Sequence, residues 1–474
     1  MRKPEFFKKI KHVHLTGIKG VGMTALACCL QDMGIKITGS DVEETFVTDK
    51  VLGKRKIRWK IGFSEKNLIP KPDLLITTGA HGGLNNPEVV TAKMTGIPVL
   101  THAQALGEVM KGKEGISVCG VGGKTTTSSM IATVLDKGGR KPSYAIGVGE
   151  IKPLGFPGRY TQGEEFIAEA DEYVNSPGLD NRPRFIFQEP KIIVVTNIEY
   201  DHPDAYPDFE ATKNAFRSFF QKIPSDGLLL ACADNRNTME VASEFPEVLQ
   251  TYGFSPKADW SVESVYFGQG QTIFNLRHRG VIIENIRIKV PGRFNVLNTT
   301  AAFAVGAFLG MNFQTVKKGL EQFEGTKRRF EFIGEVKGVK LYDDYAHHPT
   351  EIKQVIAAAK QWFGDKRLIV VFQPHTYSRT KALLEDFARA FNGANLVVIS
   401  EIYASAREKD NLGISGKILA EKAARHHPKV FYKAGESEVV EFLKKEAKPG
   451  DIIFTMGAGN IFLWHKTILK ALKN

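Results

Sequence analysis

Short apolar runs alternate with helix-length amphipathic stretches along almost the whole chain, a pattern that predicts parallel sheets covered by helices and an α/β class. The pattern starts three times. HVHLT (12–16) predicts a strand, the glycines Gly17, Gly20 and Gly22 a tight turn, and 22–33 a helix stopping at Gly34. IKITG (35–39) then leads to Ser40 and Asp41, strands at 74–78 and 97–100 complete a small sheet, and a helix over 102–111 runs into KGKEG. ISVCG (116–120) begins again, with a helix over 125–137 and strands at 166–170, 191–197 and 227–232. Between 258 and 290 the period drops to two around GQGQ and RHRG, which predicts antiparallel hairpins added to the parallel sheet. Helices over 294–310 and 313–324 follow. After EGTKRR a hairpin over 330–343, turning at Lys337-Gly338, opens the third unit. There, strands at 367–372, 395–400, 429–432 and 451–455 alternate with helices near 350–362, 380–391, 415–425, 436–446 and 459–472, as in a doubly wound sheet. The restarts divide the chain into domains at 1–112, 113–325 and 326–474.

Three domains suit 474 residues at roughly 150 per domain. The 42% hydrophobic and 24% charged content excludes large disordered or fibrous stretches. A net charge of +12, from 64 basic against 52 acidic residues, favours phosphate-rich partners. The basic residues are spread along the chain without an aromatic-interleaved stripe, so no nucleic-acid face is expected. Cys28, Cys29, Cys119 and Cys232 show neither paired disulfide spacing nor a Cys-x-x-Cys arrangement and read as buried thiols in a reducing compartment. The basic start is interrupted by TGIKGVGM, and no apolar run approaches the ~18 residues of a membrane span. The expectation is a cytoplasmic protein without membrane insertion.

The strongest chemical feature is GVGGKTTT, Gly120 to Thr127, between a predicted strand and a predicted helix. Gly120, Val121, Gly122 and Gly123 let backbone N–H groups wrap a phosphate, the helix N-terminus adds about half a positive charge, Lys124 reaches the terminal phosphates, and Thr125 can ligate Mg²⁺. Only two residues separate Gly120 from Gly123, a tighter spacing than the common G-x₄-G-K-[ST]. Gly17, Gly20 and Gly22, with Asp41 after the next strand, resemble a dinucleotide fingerprint out of register. They suit a nucleotide diphosphate at a helix N-terminus, or a strand-to-helix turn alone. A metal shared with ATP phosphates takes hard oxygen ligands; the candidates are Glu169 and Asp171 in EADE, and Glu199, Asp201 and His202 in TNIEYDH. In the third unit DDYAHHPTE (343–351) and FQPHTYSRT (372–380) suit recognition of phosphate or carboxylate. Arg379 offers a bidentate fork, and His347, His348 and His375 can donate hydrogen bonds or move protons.

Taken together, GIKGVGM, GVGGKTTT, EADE, TNIEYDH, GRFNVLN, GTKRRF, DDYAHHPTE, QPHTYSRT and TMGAGNI resemble the Mur ligases, which build the peptide stem of bacterial cell-wall precursors. The resemblance spans essentially the whole chain. It implies a Rossmann-like N-terminal domain, a central P-loop ATPase-like domain and a C-terminal Rossmann-like domain. It further implies ATP and Mg²⁺ as cofactors, UDP-N-acetylmuramate and L-alanine as substrates, and a monomer or weak homodimer. QPHTYSRT and EIYASAREKDN are similar to the members that add L-alanine.

Carried over residue by residue, the resemblance implies that Gly17, Gly20, Gly22 and Asp41 lie near the UDP group. Gly120 to Thr126 and Asn295 would hold ATP, with Arg329 and Asp344 approaching from the C-terminal side. Thr125, Glu169 and His202 would be the metal ligands. Tyr345, His347, His375 and Arg379 would line the amino-acid site, and the catalytic set would be Lys124, Glu169, His202, Arg329, His347 and Arg379. Three stretches depart from the family pattern. Val121 and Gly122 stand where the loop usually carries Thr and His. Residues 78–82 replace part of a serine-rich stretch, and EADEYVNSPGLDNRPRF is closer to a related ligase that recycles a preformed tripeptide. That ligase is one alternative reading; a nucleic-acid-binding P-loop ATPase and a nicotinamide-dependent oxidoreductase are alternatives of other classes.

Overall fold

A computed structural model describes residues 3–473 except 203, 269, 405–407 and 409. The turn at GQGQ and the segment EIYASAREKDN therefore lie partly outside the described residues. The expected α/β architecture is present, with one principal sheet from each restart of the pattern.

The first sheet has five parallel strands, in the order Arg58–Ile61, Lys36–Asp41, His12–Thr16, Leu74–Thr77, Val99–Thr101. Its edge strand Arg58–Ile61 is largely exposed and carries no apolar run, which is why periodicity did not find it. The second sheet has ten strands. Its centre is parallel: Leu228–Cys232, Pro190–Val195, Glu114–Cys119 and Glu165–Glu169 lie side by side. Ile116, Val118, Ile167, Ile192 and Val194 in these strands are wholly buried, as strands covered on both faces require. The expected hairpins follow as Trp260–Gly268, Gln271–His278 and Val281–Ile288, paired antiparallel at one edge. In the six-stranded third sheet the hairpin Glu331–Val336/Val339–Asp344 leads into parallel Ile452–Met456, Leu368–Phe372, Leu396–Ile399 and Val430–Tyr432.

The helix expected over 380–391 instead runs as Tyr377–Ala382 and Leu384–Ala388. It begins early because Thr376 Oγ1 accepts from the Arg379 N–H, and the Glu408 carboxylate accepts from the Tyr377 and Ser378 N–H groups at 2.9 and 2.8 Å; such acceptors satisfy the free donors of a helix start. The helix Phe209–Phe220, not anticipated, buries Phe216, Phe219 and Phe220. All four cysteines are buried and free. Among the described residues no helix is long and apolar enough to cross a membrane.

Candidate active site

The phosphate-type loop joins the strand Glu114–Cys119 to the helix Lys124–Lys137. It can wrap tightly because Gly120 and Gly123 sit at φ of 120° and 87°, where a side chain is strained. A Cβ on Gly120 would lie 2.3 Å from Thr196 Oγ1 and 2.6 Å from the Asn197 carbonyl oxygen. The start of TNIEYDH clamps the same loop. Thr196 Oγ1 donates to the Gly122 carbonyl at 2.6 Å, and the Gly122 N–H donates to Asn197 Oδ1 at 2.9 Å. Gly120→Ala is therefore expected to distort the loop and reduce nucleotide affinity by at least about tenfold, as measured by nucleotide titration.

The following helix is deeply buried yet rich in hydroxyls. Ser129 and Thr133 return theirs to the carbonyls one turn earlier, at 2.7 Å each, so these two polar groups are satisfied inside the core. Lys124, the first helical residue, donates to the Gly120 carbonyl at 2.5 Å and to Glu172 at 3.0 Å. Burial opposes its charge, but the Glu172 and Asp171 carboxylates outweigh burial and raise its pKa. Lys124 is thus a fixed cation.

One ligand atom each from Asp171, Glu172 and His202 lie within 4.8 Å of one another. Burial favours the neutral form of Asp171, yet Arg184, whose Nη1 is 2.6 Å from Oδ2, together with Lys124 and His202, holds it well below the usual carboxylate range. Burial also disfavours the His202 imidazolium, and Asp201 and Glu172 more than compensate. Glu169 lies at the same strand end, where burial raises its pKa and Oε1 accepts the Gly147 N–H at 2.7 Å.

A cavity of about 380 Å³ unites these groups with the other two sheets. Gly20, Val21 and Gly22 line it from the first sheet; Lys124, Thr125, Glu169, Asp171, Glu172, Asp201 and His202 from the second; and Arg329, Tyr345, His347 and Glu351 from the third. A smaller cavity of about 50 Å³ runs beside the loop past Gly122, Gly123, Thr126, Asn295, Asn298, Arg329 and Asp344.

Residues 12–114, 118–306 and 328–459 match, in turn, the profiles of the Mur ligase family catalytic domain, the Mur ligase middle domain and the Mur ligase glutamate ligase domain. The chain belongs to the Mur ligase family. It is 40% identical over 470 residues, 98% of its own length and 99% of the relative's, to the UDP-N-acetylmuramate–L-alanine ligase of Geobacter sp. strain M21. Its structure is similar to the crystal structure of a UDP-N-acetylmuramate-alanine ligase from Thermotoga maritima, with a TM-score of 0.82 at 26% identity over 98% of this chain and 99% of that one. It shares the fold of a murein peptide ligase from Psychrobacter arcticus, with a TM-score of 0.72 at 24% identity and the same coverage. This Mur ligase is accordingly an enzyme of the ligase class, and neither the nucleic-acid ATPase nor the oxidoreductase reading is favoured.

In this Mur ligase most of the motifs meet around the two cavities, and individual side chains divide their work. Asp41 is 1% exposed. Its carboxylate accepts the Lys19 and Val42 N–H groups at 2.7 and 2.8 Å, so it braces the glycine turn from behind. Gly17, at φ 80°, faces Thr78, while Gly20 and Gly22 line the main cavity. Asp344 is buried and bonded to the N–H groups of Phe330 and Ala346 at 2.8 Å each; burial pushes its carboxyl up to about 6. Asn295 donates to the Pro291 carbonyl at 2.7 Å and lines the small cavity.

Within the expected amino-acid set, Tyr345 and His347 reach the main cavity. Arg379 lies behind it, its Nε 2.8 Å from Asp201 Oδ1 and its Nη1 on the His375 carbonyl. The His375 ring faces Tyr403 with ring centres 6.0 Å apart. Burial lowers the pKa of His347 to about 4, leaving the imidazole neutral at pH 7.

Glu172, Asn197, Asn298 and Glu351 lie inside recognised motifs but were not singled out. Glu351 borders both cavities, accepts from the backbone N–H groups of His347 and His348, and pairs with Arg329 at 3.5 Å. Arg328, beside the expected Arg329, bonds Asp343 at 2.9 Å and the carbonyls of Gly457 and Gly459, tying GTKRRF to TMGAGNI. Their proximity to residues already chosen was the available signal.

Proposed function

We propose that this Mur ligase uses ATP to join the lactyl carboxylate of UDP-N-acetylmuramate to L-alanine through an acyl phosphate. The observation that carries the proposal is the sharing of one cavity by the Gly20–Gly22 turn, Lys124 and Tyr345, which suits a sugar nucleotide, a triphosphate and an amino acid meeting at one point. On this reading residues 1–112 hold the sugar nucleotide, 113–325 hold ATP, and 326–474 present the amino acid.

A carboxylate does not react usefully with an amine without activation. Transfer of the γ-phosphoryl group to the lactyl oxygen makes an acyl phosphate, and attack by the amine then expels phosphate. Such transfers are catalysed largely by positioning and charge neutralisation. Lys124, charged and aimed from the loop, is suited to the terminal phosphates, with the N–H groups of Gly123 to Thr125 at the helix start. The oxygen-rich set of Thr125, Glu169, Asp171 and Glu172, with His202, fits a magnesium ion accompanying the phosphates, whose charge would stabilise the transferring group. Arg329 lines both cavities and suits the phosphates from the opposite side. His347, with a pKa near 4, is too weak a base to deprotonate an amine efficiently; its fitting role is to orient the amino acid. Relatives of about 40% identity carry the L-alanine ligase name, which supports alanine over the tripeptide.

The test is phosphate release by the purified protein with ATP, Mg²⁺ and UDP-N-acetylmuramate, against a panel of amino acids and the tripeptide. Release with L-alanine is expected. Release with the tripeptide alone would transfer the assignment to the recycling ligase.

A further inference from the structure

Two of the segments that depart from the family pattern lie far apart in sequence but meet in the fold. The strands Val174–Ser176 and Asp180–Pro183 form a small antiparallel hairpin, pinned by Asn175 Nδ2 donating to Asp180 Oδ2 at 2.8 Å. The hairpin packs against the loop after the strand Leu74–Thr77. A Cβ on Gly79 would lie 3.0 Å from the Asn175 carbonyl oxygen and 3.1 Å from Arg184 Nη2, and one on Gly83 would lie 3.3 Å from Ser176 Oγ. Glycine at 79 is what admits the Arg184 guanidinium at this seam.

Thr78, Gly79, Asn175 and Arg184 all line the main cavity. The other lysine and arginine chains on its wall are Lys124 at the phosphate loop and the consecutive Lys327, Arg328 and Arg329 from the opposite side. Arg184 is therefore the guanidinium of the wall between the first sheet and the phosphate loop. One guanidinium nitrogen is on Asp171 at 2.6 Å, and a planar fork with five N–H donors keeps others for a second anion.

We infer that Arg184 binds an anionic oxygen of the sugar-nucleotide substrate, in its diphosphate or its lactyl carboxylate, and that the loop at Gly79 and the hairpin carrying Asn175 form the wall against which that substrate is seated. The inference rests on the ligase reading above. Loss of a charge-assisted hydrogen bond of this kind weakens binding by about 10- to 100-fold.

Steady-state kinetics of Arg184→Met and Arg184→Lys test it. The expected result is a KM for UDP-N-acetylmuramate raised about 10- to 100-fold in Arg184→Met and partly restored in Arg184→Lys, which keeps the charge, with the KM for Mg-ATP changed less than about twofold. An unchanged KM for the sugar nucleotide with a lowered kcat or raised ATP KM would overturn the inference and leave Arg184 only as a support for Asp171. Titration with UDP separates the two anions: affinity for UDP falls with Arg184→Met if the diphosphate is held, and stays if the carboxylate is. Wild-type protein without phosphate release on any UDP-N-acetylmuramate mixture would instead remove the underlying ligase reading.

Discussion

Replacing Lys124 with Met is expected to lower ATP-dependent turnover by about a thousandfold or more, since removing a charge aimed at a developing anion commonly costs that much. The substitution also leaves Glu172, 1% exposed, without its closest cation. Breaking a buried pair costs several kcal/mol in the worst case, yet here His202 remains 3.5 Å from Glu172 and supplies a second partner. The variant should therefore fold. Thermal melting and retained binding of UDP-N-acetylmuramate check this, while phosphate release reports the lost function. Near-normal turnover in a folded variant would place the phosphate site elsewhere.

The largest effect on stability is expected at Glu88, whose side chain is fully buried beneath the glycine turn. Thr16 and Ser40 hydroxyls donate to it at 2.6 Å each, Asn67 Nδ2 at 2.7 Å, the Ser64 N–H at 3.3 Å, and His14 Nε2 lies 3.3 Å away. Burial favours the protonated acid, but these hydrogen bonds win and bring its pKa down to about 2. Because the folded value lies below the unfolded one, near 4.5, the resulting stability is fully present above pH 4.5 and is lost as pH falls towards 2. Glu88→Gln should remove about 2–3 kcal/mol at pH 7, lowering the melting midpoint by about 5–10 °C. The gap to wild type should close on acidification through that window. A gap independent of pH would mean that shape, not charge, holds this hub.

The phosphate loop was legible because its chemistry is local: strand, glycines, lysine and helix are contiguous, and each constrains the next. The clamp that holds it was not. Thr196 and Asn197 lie more than seventy residues downstream, and only the parallel pairing of Pro190–Val195 with Glu114–Cys119 brings them to the loop. Asp41 shows the converse. Its position after a strand suggested a ligand contact, but two backbone N–H groups occupy the carboxylate. Arg379 suggests a free fork, yet Asp201, from the segment after a strand of the second sheet, takes its Nε at 2.8 Å and the His375 carbonyl takes Nη1.

Hydrophobic periodicity alone determined the α/β class, the three restarts and the hairpins at one sheet edge, because burial of a strand or helix face is written in residues two or three to four apart. Motif order determined the family. Only the tertiary structure decided which carboxylates cluster with His202, which arginines face the cavity and which brace it from behind, and that two departing segments meet at Gly79. Such choices depend on side chains from separate sheets competing for the same few ångströms, a competition that spacing along one chain does not record.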